Sequence, residues 1–303
     1  MPPFRARGFG LDWQSDIALE QFDPLAAPCG AADIVVARVD KLADRPAPRP
    51  INRGAVFDDG FRFDWNGEAT FDVFDGDRIE YCSGPRWSGG LPAAFYSTVA
   101  GLTLTWRGFL SFHASAFELS GRAFLLAGRA GAGKSTLAAE LMQAGARLIS
   151  DDLTVLGRGN DGVAPVAYRG RQAMRLHPQT AMTIDALRCE EVPEDPRGKV
   201  LVWPRARADE GALPVAGLIL LGDSAGPVPG PVPGVELAPL LPRLLFRPAW
   251  MASLPGRLVN RAQLVELAQQ MPAWRLPRVC GFSPEAQAQR IAAVLDAVAG
   301  LAG

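Results

Sequence analysis

The sequence predicts an α/β fold in two parts: a β-rich N-terminal accessory region over residues 1–105, and a domain of strands and helices over residues 106–303. Short alternating runs separated by Asn66-Gly67 and Asp75-Gly76 indicate β-hairpins in the first part. In the second part an apolar run, a glycine-rich loop and a helical segment follow one another directly. That succession is typical of the strand–loop–helix units of α/β proteins.

The composition is that of a globular protein, with 48% hydrophobic and 21% charged residues. A formal net charge of −1 argues against a general nucleic-acid binder. The N-terminus lacks a signal-peptide core and no apolar run could span a bilayer, so we expect a cytoplasmic protein without membrane association. The cysteines have no metal-ligand spacing and are predicted to be reduced thiols: Cys29, Cys82, Cys189 and Cys280.

The N-terminal region is predicted to consist mainly of short strands. One strand is expected over residues 32–39, followed by an extended proline-rich connector over 45–50. A meander of three strands follows, over residues 61–65, 69–74 and 78–82. A helix over 92–104 then leads into the second part. Nothing in this region indicates catalysis.

The second part is organised around Gly128–Ser135, which fits the phosphate-binding pattern G-x-x-x-x-G-K-[ST]. A buried strand is predicted before it over 123–127, and a helix after it over 136–144, with Gly145 as the C-terminal cap. The alternative is a glycine-rich turn that fits by chance, since the chain has 32 glycines. However, only three of its 31 basic residues are lysines, so a lysine at the required position favours phosphate binding.

This loop predicts a nucleotide site by a direct physical argument. Glycines let the backbone wrap a phosphate, and the N-terminus of the following helix favours its negative charge. Lys134 is expected to reach the β- and γ-phosphate oxygens, and the Ser135 hydroxyl to bind Mg²⁺. The predicted nucleotide-binding residues are Gly128, Arg129, Ala130, Gly131, Ala132, Gly133, Lys134, Ser135 and Thr136.

Further candidates lie on either side of the loop. His113 is predicted on the strand that precedes the loop's own strand. Asp151 and Asp152 end a short strand predicted over 146–150, where phosphoryl transfer needs metal-binding and proton-accepting carboxylates. A simple turn is the alternative for this acidic pair.

The remaining candidates lie in a region of short strands and loops over 163–203. Lys199 is either a contact to phosphate or substrate or an exposed strand lysine, and Arg197 is a further substrate candidate. His177 is either a structural residue or a functional one. Beyond this region, helical segments are predicted over 235–245, 261–270 and 284–299, and strands over 218–221 and 274–276.

Over residues 113–156 the sequence resembles the HPr kinase/phosphorylase superfamily of serine kinases. The resemblance is carried by His113-Ala, by the loop Gly128–Ser135, and by Gly145-x-x-Leu148-x-Ser-Asp151-Asp152. It implies a P-loop kinase domain of HPr-kinase type, a mixed sheet with flanking helices, with ATP and Mg²⁺ as cofactors.

The resemblance also implies a role for each matching residue. Lys134 would clamp phosphate, while Ser135 and Asp151 would bind Mg²⁺. Asp152 would accept the proton of the attacking serine, with His113 orienting it. The opposite assignment, with Asp151 as the proton acceptor and Asp152 as the metal ligand, stays open.

Two departures from the family pattern narrow the implied function. The bifunctional members have an acidic residue where this chain has Thr136, and a downstream carboxylate that Ala173–Pro178 lacks. Phosphorylase activity and HPr as substrate are therefore not expected. The chain looks more like the branch found in peptide tailoring, such as lasso-peptide precursor kinases. A serine of a peptide or small protein is the implied partner, and a homo-oligomer is compatible with the family.

Two other classes of function fit the same loop. One is an ATP-binding sensor or switch that transfers no phosphate, and the other is a small-molecule kinase. His113 together with the acidic pair favours a transferase over a switch. The lack of an arginine-rich lid segment argues against a nucleotide kinase.

Overall fold

The structure, a computed structural model, describes residues 3–26, 30–159, 162, 164–171, 173–185, 187–190, 198–208, 211–222, 228–254, 261–277, 281 and 283–302. The chain folds into two compact units. The first comprises Met1–Ser111 and Leu245–Asn260, and the second comprises Phe112–Leu244 and Arg261–Gly303. No helix in these described ranges is long and apolar enough to cross a membrane.

The described strands and helices alternate irregularly along the chain. The strands are β1 (Phe4–Gly8), β2 (Leu11–Ser15), β3 (Asp23–Pro24), β4 (Ile34–Arg38), β5 (Arg49–Ile51), β6 (Gly54–Phe57), β7 (Gly60–Trp65), β8 (Ala69–Phe74), β9 (Arg78–Ser83), β10 (Leu110–Phe112), β11 (Ala114–Leu119), β12 (Arg122–Gly128), β13 (Arg147–Ser150), β14 (Thr154–Arg158), β15 (Pro165–Tyr168), β16 (Met174–Leu176), β17 (Leu187–Glu190), β18 (Val200–Pro204), β19 (Ala212–Leu221), β20 (Gly230–Val232) and β21 (Ala273–Leu276). The α-helices are α1 (Ala100–Trp106), α2 (Lys134–Gln143), α3 (Pro178–Met182), α4 (Gly234–Leu237), α5 (Leu241–Leu244), α6 (Pro248–Ser253), α7 (Arg261–Gln270) and α8 (Pro284–Ala302).

The first unit is built on a nine-stranded sheet with the order β3-β1-β2-β4-β9-β8-β7-β6-β5. The predicted meander is confirmed in β7, β8 and β9, which pair antiparallel through tight turns. Asn66 and Asp75 adopt φ angles of 51° and 48°, and each is followed by a left-handed glycine. Consecutive left-handed residues match the twist of the strands they join, so these dipeptides fix the hairpins.

Aromatic side chains form the core of the first unit. Phe95, in a π-helical turn (Phe95–Val99) that continues into α1, lies with its ring centre 5.7 Å from that of Phe71. Trp250 of α6 packs edge-on against Phe61 and Phe63 at 5.9 and 5.8 Å between ring centres. The helical segments of this unit thus cover the aromatic side chains of its sheet.

The second unit contains a mixed sheet in which the strands β14-β15-β19-β12-β11-β13 lie side by side. β21 extends it parallel to β19, and β20 pairs antiparallel with β21. Helices α2 and α8 pack together and are joined by an ion pair between Glu140 and Arg290 (Oε2 to Nε 2.8 Å). The hydrophobic core of this unit includes buried side chains of α2, α8 and the mixed sheet. A small sheet with the order β16-β18-β17 contributes Met174, Leu176 and Val202 to this core.

The strand directions bring three chain segments to one edge of this sheet. β12 and β13 both run antiparallel to β11, which lies between them. The ends of β12 and β13 therefore meet the beginning of β11. Gly128 ends β12, Asp151 follows β13, and His113 immediately precedes β11.

Candidate functional site

The segment Gly128–Ser135, here called the glycine loop, connects β12 directly to α2. Gly131 and Gly133 adopt left-handed φ angles of 81° and 92°, which side chains disfavour. A Cβ atom at Gly128 would lie 2.6 Å from the backbone oxygen of Leu221 on β19, so this position requires glycine. The loop thereby delivers the first N–H groups of a ten-residue helix to the sheet edge.

Lys134 lies folded back on this loop. Its side chain is only 7% exposed, and Nζ donates hydrogen bonds to the carbonyl oxygens of Gly128 (3.1 Å) and Arg129 (3.3 Å). Burial lowers the pKa of the Lys134 ammonium, and the charges of Asp151 and Asp152 oppose that effect by raising it. The glycine loop and the acidic pair are therefore close enough to interact electrostatically.

Asp151 is the buried member of the acidic pair, with 2% exposure. Its Oδ1 accepts a 2.6 Å hydrogen bond from Oγ of Ser115, which is itself fully buried. Sequence reasoning missed Ser115. The available signal was its spacing of two residues from His113, because alternate residues of an extended chain share a face.

Asp152 is the accessible member of the pair, with 40% of its side chain exposed. Its φ of 69° lies in the left-handed region, which aspartate tolerates better than most residues. Nδ1 of His113 lies 3.0 Å from the backbone oxygen of Asp152 and 3.1 Å from its Oδ1. Since both partners are acceptors, Nδ1 carries the proton, and the ring holds the carboxylate in place.

His113 does not lie on the strand that precedes the loop's own strand, where the sequence predicted it, but immediately before that strand. Helix α1 extends to Trp106, and a bend at His113 separates β10 from β11. The backbone N–H of His113 donates to the carbonyl oxygen of Leu244 (2.8 Å) instead of to a partner strand. This break in the strand brings the ring to Asp152.

The acidic pair and the glycine loop contain oxygen donors of the kind that Mg²⁺ accepts. Within the described ranges, no group of three or more His, Cys, Asp or Glu side chains could hold a metal ion. Mg²⁺ commonly takes one or two protein oxygens and fills its shell with phosphate and water. Ser135, partly exposed in the first turn of α2, and Asp151 are oxygen donors of that kind.

Among the substrate candidates, Lys199 is the one that the structure relates to the glycine loop. It immediately precedes β18, its Nζ donates to the carbonyl oxygen of Arg175 (3.4 Å), and its charge adds to the effect of burial in lowering the pKa of Lys134. His177 is exposed, and its carbonyl oxygen accepts a hydrogen bond from the N–H of Ala181 at the start of α3. Arg197 lies outside the described residues.

A buried arginine near the acidic pair was also missed from the sequence. The N–H of Gly170 donates to the carbonyl oxygen of Ile149 on β13 (3.0 Å), and the next residue, Arg171, is 2% exposed. Its segment therefore runs beside the strand that leads to Asp151. A single arginine among many in this chain gives no sequence signal for that position.

Comparison with known proteins gives limited similarity. No protein-family model matches the chain, and no curated protein matches it. Among solved structures, the chain is similar to the Hpr(Ser) kinase/phosphatase from Coxiella burnetii, with 12% sequence identity and a TM-score of 0.34. The match covers 64% of this chain and 99% of that one. Similarity of this degree carries no functional assignment.

Proposed function

We propose that this chain is an ATP- and Mg²⁺-dependent kinase that transfers the γ-phosphate to a serine hydroxyl of a peptide or small protein. The observation that carries the proposal is an accessible carboxylate, Asp152, held by His113 at the sheet edge where the glycine loop begins. Phosphoryl transfer needs both a phosphate cradle and a proton acceptor beside it. A nucleotide-binding switch that transfers no phosphate does not need a proton acceptor.

In this proposal the glycine loop binds the phosphates of ATP through its backbone N–H groups and Lys134. Ser135 and Asp151 would hold Mg²⁺, which when bound supplies positive charge to the phosphate oxygens. Asp151 is buried and held by Ser115, which suits a fixed ligand.

Asp152 then acts on the serine hydroxyl that accepts the phosphate. Because a serine hydroxyl is a weak nucleophile, Asp152 takes its proton as the serine oxygen bonds to the γ-phosphorus. The bond from that phosphorus to the bridging oxygen breaks at the same time, and ADP leaves with the electron pair. His113 keeps the Asp152 carboxylate in place during these events through its Nδ1–H.

The proposed acceptor is a precursor peptide of the kind modified in peptide tailoring, as the sequence resemblance implies. Thr136 and the carboxylate-free segment Ala173–Pro178 support a kinase without the reverse phosphorylase activity. The use of ATP is consistent with a cytoplasmic enzyme.

The test uses a library of serine-containing peptides, ATP and Mg²⁺, read by mass spectrometry with fragmentation. We expect one added phosphate on serine with the wild-type chain. Asp152→Asn should still bind ATP with Mg²⁺, while transfer falls about 10²- to 10⁴-fold because the proton acceptor is lost. Asp151→Asn should instead weaken Mg²⁺ dependence and nucleotide binding together.

Two results would count against the proposal, and a third would change the roles within it. Phosphate transferred only to small molecules would favour a small-molecule kinase. ATP binding without any transfer would favour a switch. If Asp151→Asn stops transfer while leaving Mg²⁺ dependence intact, and Asp152→Asn has the opposite profile, the roles of the two aspartates are reversed.

A further inference from the structure

The Ser115 hydroxyl and the Asp151 carboxylate form a short hydrogen bond inside the second unit. The distance from Oγ to Oδ1 is 2.6 Å, Ser115 is fully buried, and Asp151 is 2% exposed. Hydrogen bonds to ionised carboxylates at this length are among the stronger ones in proteins. A carboxylate held in this way loses much of its rotational freedom.

The backbone on both sides of this contact is also fixed. Ser115 lies on β11 between two strands, with Leu126 of β12 opposite it and its neighbour Ala116 opposite Ser150 of β13. The pairing of β11 with β13 is irregular at this point, because Phe117 pairs with Leu148 and Ile149 is left as an extra residue. An extra residue bends a strand and can re-aim the side chains after it. The extra residue therefore bends the end of β13 immediately before Asp151.

We propose that Ser115 is a positioning residue that sets the orientation of Asp151 for the divalent cation of the nucleotide. By holding Oδ1, it leaves Oδ2 as the oxygen presented to the cation. The inference rests on the proposed function, since it concerns the same Mg²⁺-nucleotide site. Residues that hydrogen-bond to metal ligands commonly control metal affinity in this way.

A neutral hydroxyl suits this task better than a charged donor would. A lysine or arginine in place of Ser115 would also fix the carboxylate, but its positive charge would repel the cation. The serine O–H satisfies one oxygen of a buried carboxylate without cancelling its negative charge. The full charge of Asp151 is thereby kept for the metal ion.

The test is calorimetric titration of the full chain with a non-hydrolysable ATP analogue, with and without Mg²⁺. The spectrum of Mn²⁺ by electron paramagnetic resonance, in the presence of the analogue, reports the metal's surroundings independently of activity. Ser115→Ala removes the donor, and Ser115→Cys keeps a similar volume with only a weak donor. Ser150→Ala is the matched control, since Ser150 is equally buried, adjoins Asp151 in the chain and contacts Oγ1 of Thr154 (2.9 Å).

We expect both Ser115 variants to weaken the Mg²⁺-dependent binding of the analogue about 10- to 100-fold and to alter the Mn²⁺ spectrum. Binding without metal should not change, and Ser150→Ala should behave as wild type. Unchanged metal dependence in the Ser115 variants, or an equal loss in Ser150→Ala, would overturn the role of Ser115 alone. A wild-type chain that binds the analogue in neither condition would overturn the proposed function and this inference together.

Discussion

At the scale of single residues, two adjacent aspartates occupy opposite environments. Asp151 is buried and bound by Ser115, whereas Asp152 is accessible and bound by His113. The left-handed φ of Asp152 turns the chain between them. Neighbouring carboxylates that faced the same way would repel each other and compete for one partner. Their separation lets one bind a metal ion while the other meets a substrate.

Lys134→Met should abolish ATP turnover without lowering the melting temperature at neutral pH. Burial lowers the pKa of the Lys134 ammonium, so the folded state disfavours its charge, and removing the charge relieves that cost. In the wild type, the free-energy cost of the charged Lys134 disappears as the pH rises toward 10.5, the ordinary pKa of a lysine. The stability of the wild type relative to Lys134→Met should therefore increase with pH in that range.

Thermal melts at several pH values, with an ATPase assay on the same samples, check this prediction. Retained turnover would contradict the role of the glycine loop. A relative stability that falls with rising pH would contradict the proposed electrostatic cost of Lys134.

His113→Ala should lower the turnover number by about 10- to 1,000-fold while the affinity for ATP changes little, because His113 contacts Asp152. His113→Asn is the variant to compare with His113→Ala. Its side-chain N–H can replace Nδ1–H as donor, so it should recover part of the activity if His113 only positions Asp152. Steady-state kinetics of both variants, with their melting temperatures, separate this role from a structural one. Equal activity of Ala and Asn variants would argue against positioning by Nδ1.

At the scale of elements, helix α2 has a left-handed glycine just outside each end. Gly133 precedes it with φ 92°, and Gly145 follows its C-terminal cap with φ 93°. A Cβ atom at either position would meet no atom within 4 Å, so substitution by alanine costs only backbone strain. That cost is about 1–2 kcal/mol at each site, which corresponds to roughly 2–8 °C in melting temperature.

Gly133→Ala and Gly145→Ala therefore form a matched pair. Both should lower the melting temperature by a similar amount, but only Gly133→Ala should weaken nucleotide binding, since it alters the N–H groups of the glycine loop. Thermal melts and analogue titrations of the two variants provide the comparison. Equal nucleotide affinity in both would show that the loop does not bind phosphate.

The elements that the sequence predicted best are those with local signals. The hairpins at Asn66-Gly67 and Asp75-Gly76 and the strand–loop–helix around Gly133 are confirmed, since a few residues dictate each backbone shape. The hairpin of β1 and β2 was not predicted, because its turn has Phe9 at a left-handed φ of 56°. Phe9 is fully buried and packs edge-on against Phe22 (5.8 Å between ring centres), so tertiary burial outweighs the local preference.

The site itself was only partly predictable for a similar reason. The glycine loop and the acidic pair carry recognisable patterns, but the contact of Ser115 with Asp151 joins residues 36 positions apart. It depends on β11 lying between β12 and β13, and no local pattern encodes that order. The burial of Arg171 depends in the same way on the path of the chain beside β13.

At the scale of the whole molecule, the chain passes from the first unit to the second, returns to the first, and ends in the second. The returning segment, Leu245–Asn260, contains α6, which the sequence placed within the second region. Its Trp250 and Met251 are 5% exposed, and Trp250 contacts Phe61 and Phe63 of the first unit's sheet. The first unit is thus completed only after most of the second has been synthesised.

This connectivity predicts how the chain responds to truncation. A chain that begins at Gly108 keeps β10 but lacks the sheet on which α6 packs, so Trp250 loses its apolar cover and should cause aggregation. Replacing Leu245–Asn260 in that truncated chain by a glycine–serine linker of equal length removes the uncovered side chain, and should restore a monodisperse protein. Size-exclusion chromatography with light scattering compares the two truncated chains. If both aggregate to the same extent, the second unit depends on the first for more than the cover of α6. If neither aggregates, burial of Trp250 contributes little to the solubility of the chain.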